Sequence, residues 1–383
     1  MGSNTLGKHF CITTWGESHG KAMGVVIDGC PANLPLTEEE INEELALRRP
    51  GRNAYTSPRQ EEDRAEILSG VFEGKTTGAP ISLIIPNNDA DSSKYDALEH
   101  LYRPGHANFT YLKKYGIFDH RGGGRASARE TVCRVAAGAI AKKLLKLWGI
   151  DVLAYVKAVG KITAHIENPT RDAVQKSAVF CPDPIAEKKI CNLIASLEDD
   201  SVGGVIEMVA HVPAGLGDPV YEKLEANLAK AMLCLPASKG IEFGDGFEAA
   251  RMRGSEHNDL FCLQNGEVTL SSNHAGGTLG GISTGQPLVL RVAFKPTSSI
   301  KKPQQTVSME GEEALLKLPP GSRHDPCVAL RAAPIVEAMG ALVLVDSILA
   351  PNAHLPKQSA LLPQSRMKPN QKPEVHTDPL EAH

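Results

Sequence analysis

Apolar positions from Phe10 to Thr14 and around Val25 to Ile27 predict two short strands, separated by a Gly-rich turn at Gly16 to Gly20. Thr37 followed by Glu40 is a capping-box pattern. A helix should therefore start there, run to about Arg48 and stop at Pro50-Gly51. Ala128 to Trp148 is strongly helical, and Val336 to Ala350 is the most apolar late stretch. That stretch carries Glu337 and Asp346 nearby and is too short to span a bilayer. From about Asp89 to Asp119 the chain is polar and interrupted by Pro104-Gly105, which predicts a long functional loop. Beyond Leu349 it becomes Pro-, Lys- and Gln-rich. Residues 356–383 are expected to form a mobile tail, leaving residues 1–355 as one folded domain.

Two distant stretches share an order of motifs. Gly24-Val-Val-Ile-Asp followed by Pro31-Ala-Asn-Leu34 has a counterpart in Gly204-Val-Ile-Glu followed by Pro213-Ala-Gly-Leu216. Further on, the run from Thr77 to Ile85 echoes that from Thr284 to Val292. The repeated order hints at an internal duplication into two strand–helix–strand units. Chance similarity of short Gly/Pro turns is the alternative.

Composition narrows the class. With 42% hydrophobic and 22% charged residues, the 383-residue chain has the make-up of a globular protein with a real core. Aromatics are scarce at 5%, so Ala, Val, Ile and Leu must build that core. A net charge of −4 excludes a whole-protein basic field for nucleic acid. The eight cysteines include no CxxC pair and are expected to be reduced and mostly buried. The start of the chain has no long apolar region of a signal peptide, so a cytoplasmic protein without a membrane partner is expected.

Positive charge is concentrated where glycine is. In the run from Arg121 to Thr131, Ser127 and Glu130 form a capping box that places Ser127 at a helix start. Arg121, Arg125 and Arg129 surround that end, and bare glycines permit close approach. A helix N-terminus with several arginines suits phosphate or carboxylate. His19 lies in Trp15-Gly-Glu-Ser-His-Gly20 and His106 in Arg103-Pro-Gly-His106, both on exposed glycine turns suited to proton transfer, although a lone turn histidine is as often structural. Arg323-His-Asp-Pro-Cys327 packs Arg, His and Asp into one turn, a pattern also common in surface ion pairs. Lys295-Pro-Thr-Ser-Ser299 could cradle a second phosphate, or be a plain loop. Gly70 to Thr76 is one residue short of a phosphate-binding P-loop and should be a turn between strands. His324, Asp325 and Cys327 lack a partner cluster at ligand spacing, so no metal is expected.

Taken in order from Gly7 to about Ala350, these motifs resemble the chorismate synthase family. The most specific are Gly16-Glu-Ser-His-Gly20, Arg103 to His106, Arg121 to Thr131, Gly244-Asp-Gly-Phe247, Ser272-Asn-His-Ala-Gly276, Lys295 to Ser299 and Arg323 to Cys327. The resemblance implies an α+β fold: a β-α-β sandwich with two antiparallel sheets enclosing central helices, internally duplicated. It implies a trans-1,4-elimination of phosphate from 5-enolpyruvylshikimate 3-phosphate, giving chorismate. Reduced FMN is required although the reaction is redox-neutral overall, with flavin N5 assisting removal of the C6 proton. It also implies a homotetramer. NADPH as reductant and an external flavin reductase both stay open, and the lack of a recognisable reductase segment favours external supply.

Carried over by resemblance, His19 is a proton donor near the departing phosphate. His106 sits against the flavin, and Asp325 is a base or relay near flavin N5. Ser18, Arg48, Arg103 and Arg129, with Ser127 and Arg323, hold the substrate's acidic groups. Arg125, Ala126, Ser127, Ala237, Gly280, Lys295, Pro296, Thr297, Ser298, Ser299 and Arg323 hold the flavin. Three positions depart from the family: Ala54 stands where many relatives have arginine, and whether Arg52, two residues earlier, replaces it stays open, while Pro236 and Ala126 stand where Asn and Ser are usual. A non-catalytic flavin- or anion-binding relative is the alternative reading.

Overall fold

Alternation and caps explain the first sheet. Thr5–Leu6 (β1), Cys11–Gly16 (β2), Ala22–Asp28 (β3), Glu66–Ser69 (β4) and Ile81–Pro86 (β5) pair antiparallel in the order β1-β2-β3-β5-β4. The structure is a computed structural model that describes residues 2–57, 61–89, 95–96, 98–319, 321–322, 324–351 and 353. Met23, Val25 and Ile27 of β3 and Ile81, Leu83 and Ile85 of β5 are buried, giving the sheet one apolar face. Between β3 and β4 lies helix α1 (Glu38–Arg48). The Thr37 hydroxyl accepts from the Glu40 N–H at 3.4 Å, and the Glu40 carboxylate accepts from the Thr37 N–H at 3.1 Å. The expected capping box and the expected end at Arg48 are both present. Gly70 to Thr76 is the expected turn: Val71–Phe72 pairs with Lys75–Thr76 across Glu73 and Gly74, both at positive φ.

The stretch from Asp89 to Asp119 departs from expectation, because it contains helix α2 (Asn108–Tyr115), closed by Gly116 at φ 73°. Eight residues are too few to show a helical period beside the Pro104-Gly105 break. Helix α3 (Thr131–Lys146) follows two single turns of 3₁₀ helix, Gly124–Ala126 and Ala128–Glu130. Only half of the second expected capping box forms. The Ser127 hydroxyl accepts from the Arg129 N–H at 3.2 Å. The Glu130 carboxylate instead accepts from the Thr14 hydroxyl and from Arg134 Nε, each at 2.7 Å. A tertiary partner, Thr14, and an i,i+4 partner, Arg134, have outcompeted the capping bond.

Val152–Val159 (β6), Ile162–Thr163 (β7), Gly204–Ala210 (β8), Ser238–Phe243 (β9) and Leu288–Phe294 (β10) form a second antiparallel sheet in the order β9-β10-β8-β6-β7. Helix α4 (Leu224–Leu233) precedes β9, and helix α5 (Ala333–Ile348) is the last helix among the described residues. Helix α3 packs on β2, β3 and β5, α5 packs on β6 and β8, and the two helices pack on each other. Fourteen residues of α5 are buried, which is why Val336 to Ala350 is apolar on all sides. Where the helices touch, a Cβ on Gly138 would overlap Ala338, so glycine sets their approach.

One buried carboxylate joins several elements here. Glu337 of α5 accepts from Lys142 Nζ of α3 at 2.5 Å, from Arg171 at 2.9 Å and from the Ala154 N–H of β6 at 3.2 Å. Lys142 also reaches Glu44 of α1 at 2.6 Å.

All eight cysteines are free thiols; Cys30, Cys133, Cys181 and Cys327 are buried, but Cys234 and Cys262 are exposed. Among the described residues no helix is long and apolar enough to cross a membrane, and no cluster of three metal-ligating side chains occurs. The expected tail at 356–383 lies outside the described residues.

Candidate active site

The two glycine-rich segments and the turn at 324–327 meet around one cavity of ≈ 540 Å³. Its wall contains most of the expected residues: Arg48, Arg103, His106, Arg125, Ala126, Ser127, Arg129, Ala237, Lys295, Pro296, Thr297, Ser298, Ser299 and Asp325. Ser18 and His19 sit just behind the wall. The Gly123 N–H donates to Ser18 Oγ at 3.4 Å, and the His19 ring packs edge-on to Tyr95 with centroids 5.1 Å apart. Gly122 has φ 73°, and a Cβ there would overlap the His19 ring. That glycine therefore has two reasons to be a glycine. Gly280 is not brought to the cavity; it is exposed at the turn between Thr278–Leu279 and Ile282–Ser283. Arg323 lies outside the described residues.

Charge at the wall is one-sided. Seven cations (Arg48, Arg103, Arg125, Arg129, Arg134, Lys295 and Arg331) face two carboxylates, Glu61 and Asp325, among the described lining residues. Such an excess in a concave site attracts a small polyanion. Each guanidinium is aimed by protein acceptors. Arg103 donates to the Gly122 carbonyl at 3.1 Å and to Ser299 Oγ at 2.8 Å. Arg125 donates to the Gly16 carbonyl at 3.1 Å and Thr14 Oγ1 at 2.8 Å. Lys295 Nζ donates to the Gly105 carbonyl at 3.2 Å, and the Lys295 N–H donates to the carbonyl of Ala237, itself at φ 67°. Arg52 does not join them. It stacks 4.1 Å above the Phe180 ring and donates to the Gln175 carbonyl at 2.8 Å.

Arg48 and Arg129 share a counter-ion that sequence reasoning missed. Arg48 Nη1 lies 2.7 Å from Asp63 Oδ2, and Arg129 Nη1 bonds Asp63 Oδ1. Glu61 Oε2 stands 3.8 Å from Arg129 Nη2. Burial pulls the Arg48 guanidinium down to about 10, Asp63 opposing and Arg331 and Arg129 adding to the effect. Burial pushes the Asp63 carboxyl up, but the two guanidiniums outweigh it and hold the group below its ordinary value. The signal was present in the chain: buried arginines require carboxylates, and Glu61-Glu62-Asp63 follows Arg48 closely.

Asp325 is held from two sides. Its Oδ1 accepts from the Ser57 N–H at 2.8 Å and its Oδ2 from Arg331 Nη1 at 2.9 Å. The Asp325 carbonyl accepts from the Thr297 hydroxyl at 2.8 Å, tying the carboxylate to the Lys295–Ser299 segment. Arg331 was also missed, since no motif contains it.

His106 carries the clearest electrostatic signature. Burial, then the charges of Arg103, His324 and Lys295, push its imidazole down to about 3, so it is neutral at pH 7. Its Nδ1 is buried without a hydrogen-bond partner among the described residues. His106 lines the cavity, and an unpaired polar atom on a lining residue suits a ligand with a polar edge, as a flavin has. Between about pH 3 and 6.5 the unfolded chain binds this proton and the folded chain does not, so stability falls as pH drops through that window. His106→Asn is expected to remove roughly 1–2 kcal/mol of the stability lost between pH 6.5 and about pH 5. Urea midpoints of both proteins at those two pH values check it.

Fold and cavity define a mixed α/β enzyme built to hold small polyanions. The chain belongs to the chorismate synthase family, whose model, described as "Chorismate synthase", matches residues 10–349. It is 62% identical to the chorismate synthase of Protochlamydia amoebophila, over 91% of this chain and 98% of the relative. It is 54% identical to that of Methanosarcina mazei, over 91% and 97%. A solved structure, "Crystal Structure of Chorismate Synthase", superposes with a TM-score of 0.70 at 34% identity, covering 90% of this chain and 92% of that one. The chain is therefore a carbon–oxygen lyase of the shikimate pathway, and the family implies a requirement for reduced flavin.

Proposed function

We propose that this chain converts 5-enolpyruvylshikimate 3-phosphate to chorismate by trans-1,4-elimination of phosphate, with reduced FMN bound in the same cavity. The observation that carries the reading is the meeting of seven cations with neutral His106 and anchored Asp325 around one cavity. A substrate with a phosphate and two carboxylates matches that excess of charge. Arg48, Arg103 and Arg129, with Ser18, Ser127 and Arg323, hold its acidic groups. Arg125, Ala126, Ser127, Ala237, the Lys295–Ser299 segment and Arg323 hold the flavin.

Reduced FMN, when bound, supplies transient electron donation as the C3–phosphate bond breaks. The protein orients both molecules and manages protons. His19, behind Gly122, donates to the departing phosphate, where an imidazolium neutralises growing charge. His106 keeps a neutral ring with a bare Nδ1 against the cofactor. Asp325, fixed by Ser57 and Arg331, accepts or relays a proton.

The same reading extends to architecture. The two sheets form a β-α-β sandwich around α3 and α5, produced by duplication. In support, the order β2-β3-β5-β4 in one sheet matches β6-β8-β10-β9 in the other, with α1 and α4 at equivalent places in the chain. Residues 1–355 act as one catalytic domain in a cytoplasmic homotetramer. Exposed Gly280, away from this chain's own cavity, fits a contact made to a neighbouring copy's flavin. An external reductase keeps the flavin reduced, with NADPH as the electron source.

The test is an anaerobic assay with chemically reduced FMN and the enolpyruvyl substrate, following chorismate and phosphate together. Equal release of both without net flavin oxidation is expected. Bound flavin with no product would instead favour a non-catalytic binding protein.

A further inference from the structure

The cavity's two deepest arginines do not stand alone. Arg48 and Arg129 come from different segments, one from the end of α1 and the other from the 3₁₀ turn before α3. Their guanidiniums repel each other, and both are buried, at 3% and 6% exposure. Each nonetheless has its three nitrogens directed. Arg48 donates from Nε to Thr131 Oγ1 at 3.2 Å, from Nη2 to the Ala128 carbonyl at 3.1 Å and from Nη1 to Asp63 at 2.7 Å. Arg129 donates from Nε to Asn87 Oδ1 at 2.9 Å, from Nη2 to the Pro86 carbonyl at 3.1 Å and from Nη1 to Asp63. Asp63 is the one group shared by both sets.

We infer that Asp63 is a positioning residue, a carboxylate set behind the cavity wall that yokes Arg48 and Arg129 into one anion-binding pair. It is absent from the wall itself, whereas both arginines are in it. Its backbone sits at φ 50°, and its exposure is 2%. Aspartate tolerates that left-handed conformation better than most residues, and its short arm reaches both guanidiniums from there. One carboxylate oxygen goes to each arginine, so the second N–H of each Nη1 is left to point elsewhere. Neutralising one of two positive charges lets them lie close without cancelling the site's attraction for an anion. This role rests on the proposed substrate being held by these arginines.

Two accounts of Asp63 predict opposite results. If it merely competes with the substrate for the arginines, removing its charge tightens anion binding. If it positions them, removing its charge loosens binding. Asp63→Asn keeps the shape, but its amide NH₂ would face one guanidinium donor to donor. In the enzyme with reduced FMN, anaerobically, Asp63→Asn is expected to raise the substrate KM about 10- to 100-fold, the scale of an ångström-sized misplacement. The change in kcat should be smaller, and the FMN dissociation constant should stay within about twofold. Asp63→Glu keeps the charge on a longer arm and should fall between wild type and Asn.

An unchanged or lowered KM in Asp63→Asn overturns the role. Should that variant fail to fold, Asp63→Glu decides: a KM raised severalfold supports positioning, and a wild-type KM refutes it. Arg129→Ala separates this idea from the reading beneath it. If Arg129→Ala raises KM while Asp63→Asn does not, the functional reading stands and the positioning role falls. If Arg129→Ala leaves KM unchanged, the substrate is held elsewhere and both fall.

Discussion

Asp325→Ala is expected to lower kcat by roughly 10²- to 10⁴-fold, the usual contribution of a positioned acid or base, with the fold retained. The carboxylate is locked by the Ser57 N–H and Arg331, and neither bond depends on a ligand. Its orientation is therefore set before substrate arrives, which is what a proton acceptor needs. Asp325→Asn is the sharper companion. It can still accept from the Ser57 N–H but cannot take up a proton at neutral pH. Equal losses in Ala and Asn assign proton chemistry to the residue. An Asn variant near wild type would reduce Asp325 to a brace for Arg331. Single-turnover chorismate formation with prebound reduced FMN is the measurement, with circular dichroism as the check on folding.

Arg48→Ala should give the largest loss of stability of any single change at the site, about 3–5 kcal/mol, the cost of breaking a buried ion pair from one side. Asp63 has no exposed side-chain surface and would keep only one of its two arginines. The Ala128 carbonyl and Thr131 hydroxyl lose a donor at the same time. Because the folded Asp63 carboxyl titrates below its unfolded value, the pair's contribution is present above the ordinary carboxylate range and is lost as pH falls beneath it. The Arg48→Ala deficit should accordingly shrink in acid. Urea unfolding at neutral pH and near pH 3 reads both effects. Arg121→Ala, which breaks only the exposed pair with Asp119, is the control and should leave the curve in place.

What the sequence showed and what it hid divide along a physical line. The Thr37–Glu40 cap, the hairpin at Glu73-Gly74 and the arginine-bearing glycine loop are local, with causes that lie within a few residues. They were legible. Glu130 has a good local partner in Ser127, yet it bonds Thr14, 116 residues away. That choice belongs to the packed state. The same holds for Arg331 with Asp325 and for Asp63 with Arg129: each partner is an ordinary charged residue until folding removes water from around it. Helix α2 was hidden for another reason, since eight residues next to a Pro-Gly break carry too little periodicity. Most of the expected site residues line one cavity because phosphate-like chemistry demands cations on bare backbone, and that demand is written in neighbouring positions. Gly280, exposed on its hairpin, stands away from the cavity that its motif pointed to.

Helix α5 is almost wholly apolar apart from Glu337 and its last turn, and packs on α3 and on the second sheet. As the chain leaves the ribosome, the walls supplied by Arg48 to Arg134 are made long before Asp325 and Arg331 appear, and α5 follows them. Until it docks, α3 has α1 but not α5 beside it, and Lys142 has Glu44 but not Glu337. Without the chain from Asp325 onward, the apolar face of α3 is uncovered, the Lys142 network is half made, and the cavity wall lacks Asp325 and Arg331. Completing the cavity wall and covering the apolar face of α3 therefore both depend on one late segment, Asp325 to Ile348.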